Sequence, residues 1–268
     1  MIVRKSRAEI EKMRRAGQVV GDVHKMLRDI VVPGITTREM DRRAEALIRK
    51  AGATPTFKGY QVGVEVFPAT LCISINEEIV HGIPSDRVIH DGDVVSVDCG
   101  ATLDGYVGDS AVTLIVGTVS QEISDLVERT RQSLYEAIAV ALPGNRVGDL
   151  GHAVESYIAP FGYGIVQDFC GHGVGKRLHE EPQIPNYGIP GTGRRLKSGW
   201  CLAIEPMVNL GTHATQMLDD GWTVITADKS ISAHYEHSIA LTDDGPIILT
   251  SRGDDPPGPW TPGTTPMF

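Results

Sequence analysis

Nothing in the 268-residue sequence approaches the roughly 18 to 20 consecutive apolar residues that a membrane span needs, so no membrane association is expected. Cysteine is scarce. Cys72, Cys99, Cys170 and Cys201 form no CxxC pair, which disfavours both a disulfide framework and a thiolate zinc site and favours reduced intracellular thiols. Positive charge is also short: 25 Lys and Arg against 34 Asp and Glu leave a net charge of −9. A face that seeks nucleic-acid phosphates is therefore not expected. Gly171-His172-Gly173-Val174-Gly175-Lys176 is glycine-rich but lacks the spacing of a phosphate-binding loop, and no GxSxG serine elbow occurs. The opening stretch Met1–Ser6 runs straight into polar helical sequence, so no signal peptide is expected and the predicted location is cytoplasmic.

What is present suffices for a core. Hydrophobic residues make up 41% and charged residues 22%, in a length suited to one large domain or two lobes. Ser6-Arg7-Ala8-Glu9 has capping-box form, and Ile10, Met13, Val20, Val23 and Leu27 then recur on one helical face to about Ile30. Pro33-Gly34 ends that helix. A second capping box, Thr36-Thr37-Arg38-Glu39, opens a helix that Gly52 closes.

The same grammar returns about 110 residues on. A helix is predicted from Ser120 to Leu142; Pro143-Gly144 then repeats Pro33-Gly34, and Gly162 repeats Gly52. The β-rich run Gly92–Asp98 is echoed by Gly199–Glu205, and each has a partner strand with its own acid, Asp109 and Glu236. Two halves follow, about 6–118 and 119–251, each helix–helix–hairpin and related by an approximate two-fold axis. Helices grouped beside antiparallel sheets make the class α+β. The proline-dense stretch 252–268 is expected to be an extended or disordered tail.

Four acids stand where a core should be. Asp98 follows Val94-Val95-Ser96-Val97, and Glu205 follows Leu202-Ala203-Ile204, although burying an unpaired carboxylate costs several kcal/mol or protonates it. A two- or four-residue loop at Asp104-Gly105 would set Asp98 and Asp109 on one face, opposed or diagonal, about 5 to 8 Å apart. An Arg or Lys partner for each acid is one solution. A pair of divalent ions is the other, with four negative charges against four positive, and Mn, Fe, Co or Zn suits such ligands plus an imidazole. His172, between glycines that let the backbone crowd a metal, is the imidazole candidate. His179 and His81 stand in further motifs, His234 and His237 flank Glu236 as candidates for outer support, and His24, His90, His152 and His213 read as ordinary histidines.

The combination of Cys72-Ile73-Ser74-Ile75-Asn76, His81-Gly82-Ile83-Pro84, Gly108-Asp109-Ser110, Cys170-Gly171-His172-Gly173, His179-Glu180-Glu181-Pro182, Ile204-Glu205-Pro206-Met207, Asp220-Gly221-Trp222-Thr223 and Tyr235-Glu236-His237 resembles the type I methionine aminopeptidases of the bacterial kind. The resemblance runs from about Ser6 to Ser251. It implies the pita-bread fold and removal of initiator methionine before a small second residue. It makes Asp98, Asp109, His172, Glu205 and Glu236 the ligands of two divalent ions. Glu205 would also handle the proton of the attacking water, His179 would stabilise the tetrahedral intermediate, and His81 would contact the scissile amide. Cys72 and Trp222, with Tyr60 and Phe67, would receive the methionine side chain. The implied partners are nascent polypeptide N-termini, with transient ribosome contact, and the implied state is a monomer. One departure stands out: Gly59–Pro68 is about four residues longer than the family's usual loop, which leaves open which aromatics line the pocket. The same fold also serves X-Pro aminopeptidases and non-catalytic binding relatives.

Overall fold

The computed structural model describes residues 2–256. Helix α1 (Arg7–Ile30) starts where Ser6 closes a complete capping box: its Oγ accepts from Glu9 N, while the Glu9 carboxylate accepts from Ser6 N at 2.8 Å. Its apolar face, with Met13, Val20, Val23 and Leu27, is buried. The expected second box is only half formed. Thr36 Oγ1 accepts from Glu39 N at the start of α2 (Thr37–Lys50), but the Glu39 carboxylate is taken by Arg42 and Arg43, each at 2.7 Å. In the second half, α3 (Gln121–Ala139) stops short of the predicted Leu142, and α4 (Val147–Ile158) follows.

The repeat is a repeat of backbone. Gly34 and Gly144 have φ of 99° and 104°, Gly52 and Gly162 have 75° and 73°, and Gly92 and Gly199 have 91° and 87°. All lie in the left-handed region that glycine alone enters freely.

In the first half, strand Val94–Leu103 pairs with Leu71–Ile75 on one side and Tyr106–Ile115 on the other, all antiparallel. Helix α1 lies directly on Tyr106–Ile115, because a Cβ at Gly108 would sit 2.5 Å from the backbone of Gly17. In the second half a five-stranded sheet runs in the order Glu180–Ile184, Gly171–Gly173, Cys201–Ile204, His237–Thr242 and Gly245–Ile248. The two Glu/Asp-bearing strands meet at the seam between the halves. Glu236 N donates to Ala111 O at 2.9 Å, Ser110 Oγ to Glu236 O at 2.7 Å, and Ser238 Oγ to Asp109 O at 2.8 Å. This is the pita-bread arrangement expected of the sequence: antiparallel sheets meeting inside, helices packed against their outer faces.

Two expectations need correction. The acid-bearing strands of the second half form no tight hairpin: Cys201–Ile204 and His237–Thr242 pair antiparallel, but short strands at Met207–Asn209, Thr215–Met217, Val224–Thr226 and Ser232–His234 intervene. The packed chain also does not end at Ser251. Arg252 is buried, and its Nη1 donates to Ser110 Oγ (2.9 Å), Ala111 O (2.9 Å) and Glu236 O (3.1 Å). Asp255 lies 2.8 Å from His237 Nε2 and 3.0 Å from the Tyr135 hydroxyl. The rest of the predicted tail, 257–268, lies outside the described residues.

Candidate metal centre and active site

The first pair of acids is placed by a two-residue turn. Asp104 and Gly105 have φ of 50° and 75°, and Leu103 pairs with Tyr106. Asp98 thus stands opposite Ala111 and Asp109 opposite Gly100, so the two carboxylates share a face diagonally. The second pair comes from the far ends of two strands. Glu205 and Glu236 each lie one step beyond the paired residues Ile204 and His237.

His172 arrives between them on the neighbouring strand, in register with Ala203. Its flanking glycines work differently from the expectation. A Cβ at Gly171 would lie 2.3 Å from Ala203 O, and one at Gly173 2.2 Å from Glu181 O, so they let three backbones close up and do not crowd a ligand. His172 Nδ1 donates to Gly173 O at 2.9 Å, which leaves the Nε2 lone pair facing inward. Nε2 is 3.5 Å from Glu205 Oε1 and 3.7 Å from Asp109 Oδ2. Ligand atoms of Asp109, His172 and Glu236 all lie within 4.8 Å of one another.

The electrostatics of this cluster are unfavourable as it stands. Burial pushes Asp98 up to about 7, and it holds Asp109, Glu205 and Glu236 well above the carboxylate range, with their mutual repulsion adding to the effect. Among the described residues no Lys or Arg is ion-paired to any of the four. Arg252 reaches the backbone carbonyl of Glu236 but not its carboxylate. Asp98 Oδ1, Asp109 Oδ1 and Glu236 Oε1 are buried without a hydrogen-bond partner. The guanidinium solution raised by the sequence is thus absent here. Orphaned oxygens converging with an imidazole lone pair fit a metal. Burial lowers His172 to about 4, which keeps it in the neutral, ligating form at neutral pH.

The acids floor a cavity of about 260 Å³ whose wall includes Cys72, His81, His179, Trp222, Tyr60 and Phe67. His81 sits at φ 62°, an uncommon conformation for a side-chain-bearing residue. It is followed by Gly82, where a Cβ would lie 2.1 Å from Ile73 O, so only glycine lets the segment pack against that strand's backbone. The His81 ring stands edge-on to Phe169 and Trp222, and burial lowers its pKa to about 4. Trp222 is presented by a turn in which Asp220 accepts from the N–H groups of Trp222 and Thr223. His179 stands edge-on to His172 with ring centroids 4.4 Å apart, and burial lowers its pKa as well.

The long Gly59–Pro68 loop resolves simply. Gln61–Val62 pairs with Glu65–Val66 in a small hairpin, and Phe67 N donates to Tyr60 O at 2.8 Å across its base. The extra residues are thereby extruded, and both aromatics reach the cavity, Phe67 packing edge-on against Trp222 at 5.2 Å.

The two histidines beside Glu236 part ways. His234 Nε2 lies buried 3.8 Å from Glu205 Oε2, whereas His237 turns behind the site towards Thr250 and Asp255. Sequence reasoning missed Arg252, and it missed Phe169 and Cys170 as cavity lining. Adjacency to the His172 motif was the only signal for the last two.

Comparison with known proteins follows the same lines. The pattern of metallopeptidase family M24 matches residues 11–243. A methionine aminopeptidase of Clostridium acetobutylicum is 49% identical over 251 residues, covering 93% of this chain and 99% of that one. The crystal structure of a Thermotoga maritima methionine aminopeptidase superposes with a TM-score of 0.91 at 44% identity, covering 94% of this chain and 100% of the other. The Pyrococcus furiosus prolidase shares the fold more distantly, with a TM-score of 0.74 at 25% identity and 65% of its length covered. The chain therefore belongs to the M24 metallopeptidases, among the methionine aminopeptidases of the bacterial kind.

Proposed function

We propose that the protein removes N-terminal methionine from nascent polypeptides whose second residue is small, acting as a cytoplasmic monomer in transient contact with the ribosome. The observation that carries this reading is the group of four acids without a Lys or Arg partner, Asp109 and Glu236 buried and Asp98 and Glu205 half-buried, with one imidazole at the floor of a cavity of about 260 Å³. That volume lies below the range of about 300–1,000 Å³ usual for drug-sized ligands and suits one amino-acid side chain.

Asp98, Asp109, His172, Glu205 and Glu236 would hold two divalent ions, drawn from Co, Mn, Fe and Zn. When bound, such ions supply a Lewis acid for the scissile carbonyl and make water acidic enough to attack near neutral pH. The rest falls to the chain itself. Glu205 accepts the proton of the attacking water and returns it towards the leaving amine. His179 and His81, neutral at working pH, donate hydrogen bonds to charge that develops in the transition state, His81 at the scissile amide. Cys72, Phe67 and Trp222 form an apolar wall for the methionine thioether, whose sulfur favours aromatic edges. The cavity floor admits a free amino terminus, which accounts for exopeptidase action.

The test pairs metal analysis with turnover of Met-Ala-Ser and of a methionine-free X-Pro peptide. Expected are cleavage of Met-Ala-Ser alone, loss of activity on chelation, and recovery with Mn, Fe or Co. A Glu205→Gln enzyme should remain folded and lose at least about a hundredfold in kcat. Full activity after exhaustive chelation, or preference for the X-Pro peptide, overturns the reading.

A further inference from the structure

One contact at the mouth of the cavity has no part in the chemistry above. The Tyr60 hydroxyl lies 2.6 Å from His179 Nδ1, and the two rings meet edge to face with centroids 5.4 Å apart. Tyr60 is held from both sides. Its own N–H donates to Phe57 O at 2.9 Å, and its carbonyl accepts from Phe67 N at 2.8 Å. Gly59 N donates to Phe67 O at 2.9 Å, and Phe67 is buried against Trp222. The hydroxyl is thus carried on the base of a hairpin fastened to the pocket wall.

A neutral imidazole has one N–H and one lone pair, and the partner at one nitrogen decides the state of the other. If the tyrosine donates to Nδ1, the proton resides on Nε2. If the tyrosine accepts, Nε2 presents a lone pair and has nothing to give to a developing oxyanion. Only the first state can stabilise negative charge on a substrate oxygen.

We propose that Tyr60 is a positioning residue that donates its hydroxyl hydrogen bond to His179 Nδ1, fixing the tautomer in which Nε2–H points at the substrate carbonyl. The proposal rests on the aminopeptidase reading of His179, and it gives Tyr60 a task beyond lining the methionine pocket. The hairpin within Gly59–Pro68 then serves the chemistry as well as the shape of the site.

Tyr60→Phe keeps the ring and deletes the hydroxyl. On Met-Ala-Ser its kcat should fall about tenfold while KM changes by less than about twofold, the signature of an interaction used mainly in the transition state. A second readout does not depend on turnover. In zinc-exchanged protein carrying 15N-labelled histidine, the two-bond 1H–15N correlations of His179, assigned by their loss in His179→Asn, should show the proton on Nε2 in the parent. In Tyr60→Phe they should show a mixture of both tautomers. A proton on Nδ1 in the parent overturns the proposal. So does an unchanged spectrum, or an unchanged kcat, in Tyr60→Phe. If the parent cleaves no Met-Ala-Ser, the aminopeptidase reading fails, while the spectra still decide whether Tyr60 sets the tautomer.

Discussion

The two halves deliver the same pair of acids by different means. In the first, Asp98 and Asp109 sit on one hairpin closed by Asp104 and Gly105, so their diagonal placement is fixed by a local turn. In the second, Glu205 and Glu236 are separated by a long excursion that the register of Cys201–Ile204 with His237–Thr242 brings back together. The excursion has uses of its own, because it carries Trp222 to the cavity wall and His234 to within 3.8 Å of Glu205. Loop closure over such a length costs only slightly more than over a short one. The duplicated frame therefore supplies the acidic floor of the cavity, and the unequal insertion supplies part of what surrounds it.

The strongest way to break this comparison is to remove one acid from each half. Asp109→Asn and Glu236→Gln should each abolish stoichiometric metal uptake and lower turnover of Met-Ala-Ser by about a thousandfold or more. Metal analysis of the purified variants alongside the peptide assay checks this. A defect confined to one of them would mean the halves do not contribute alike.

A smaller effect should appear in the metal-free protein as pH rises. The raised carboxylates bind protons more tightly folded than unfolded, so the stability they contribute is present at low pH and lost as pH climbs through their folded values. The buried histidines, lowered by burial, oppose this slope until their unfolded forms lose charge, by about pH 7.5. With Asp98 near 7 and the other three acids well above the carboxylate range, Tm of the chelated protein should fall as pH rises from about 7.5 to about 8.5. Metal should abolish the trend. Calorimetry at several pH values decides, and a flat or rising Tm would contradict the burial of uncompensated acids.

The finest distinction concerns the shared punctuation. Gly34→Ala and Gly144→Ala meet open space but force a side-chain-bearing residue into a left-handed turn. Each should cost about 1–2 kcal/mol in urea denaturation, with the two equal to within about 0.5 kcal/mol. A large inequality would show that the matching backbone of the halves does not imply matching roles.

Much of this was legible because it is local. Ser6 announces its helix, Asp104-Gly105 its turn, and the recurring glycines their left-handed φ, since each depends on a few neighbouring atoms. The acids were legible for the opposite reason, as charges placed where no local rule would put them. What stayed hidden depends on distant partners. Glu39 fails to close its capping box because Arg42 and Arg43 compete for it. Gly171 and Gly173 serve their neighbouring strands and leave the ligand alone. Nothing in the sequence near His234 or His237 says which of them turns towards Glu205. Arg252 was masked by the prolines after it, which describe composition and say nothing of a single buried guanidinium.

That guanidinium has a consequence for how the molecule comes into being. Arg252 laces the Ser110 hydroxyl and the Ala111 carbonyl of the first half to the Glu236 carbonyl of the second, and in sequence it follows every residue of the cavity. The strands made before it join at this seam through the hydrogen bonds of Glu236 N, Ser110 Oγ and Ser238 Oγ. The three hydrogen bonds of its Nη1 are therefore added to the seam only after every strand that carries an acid has been made.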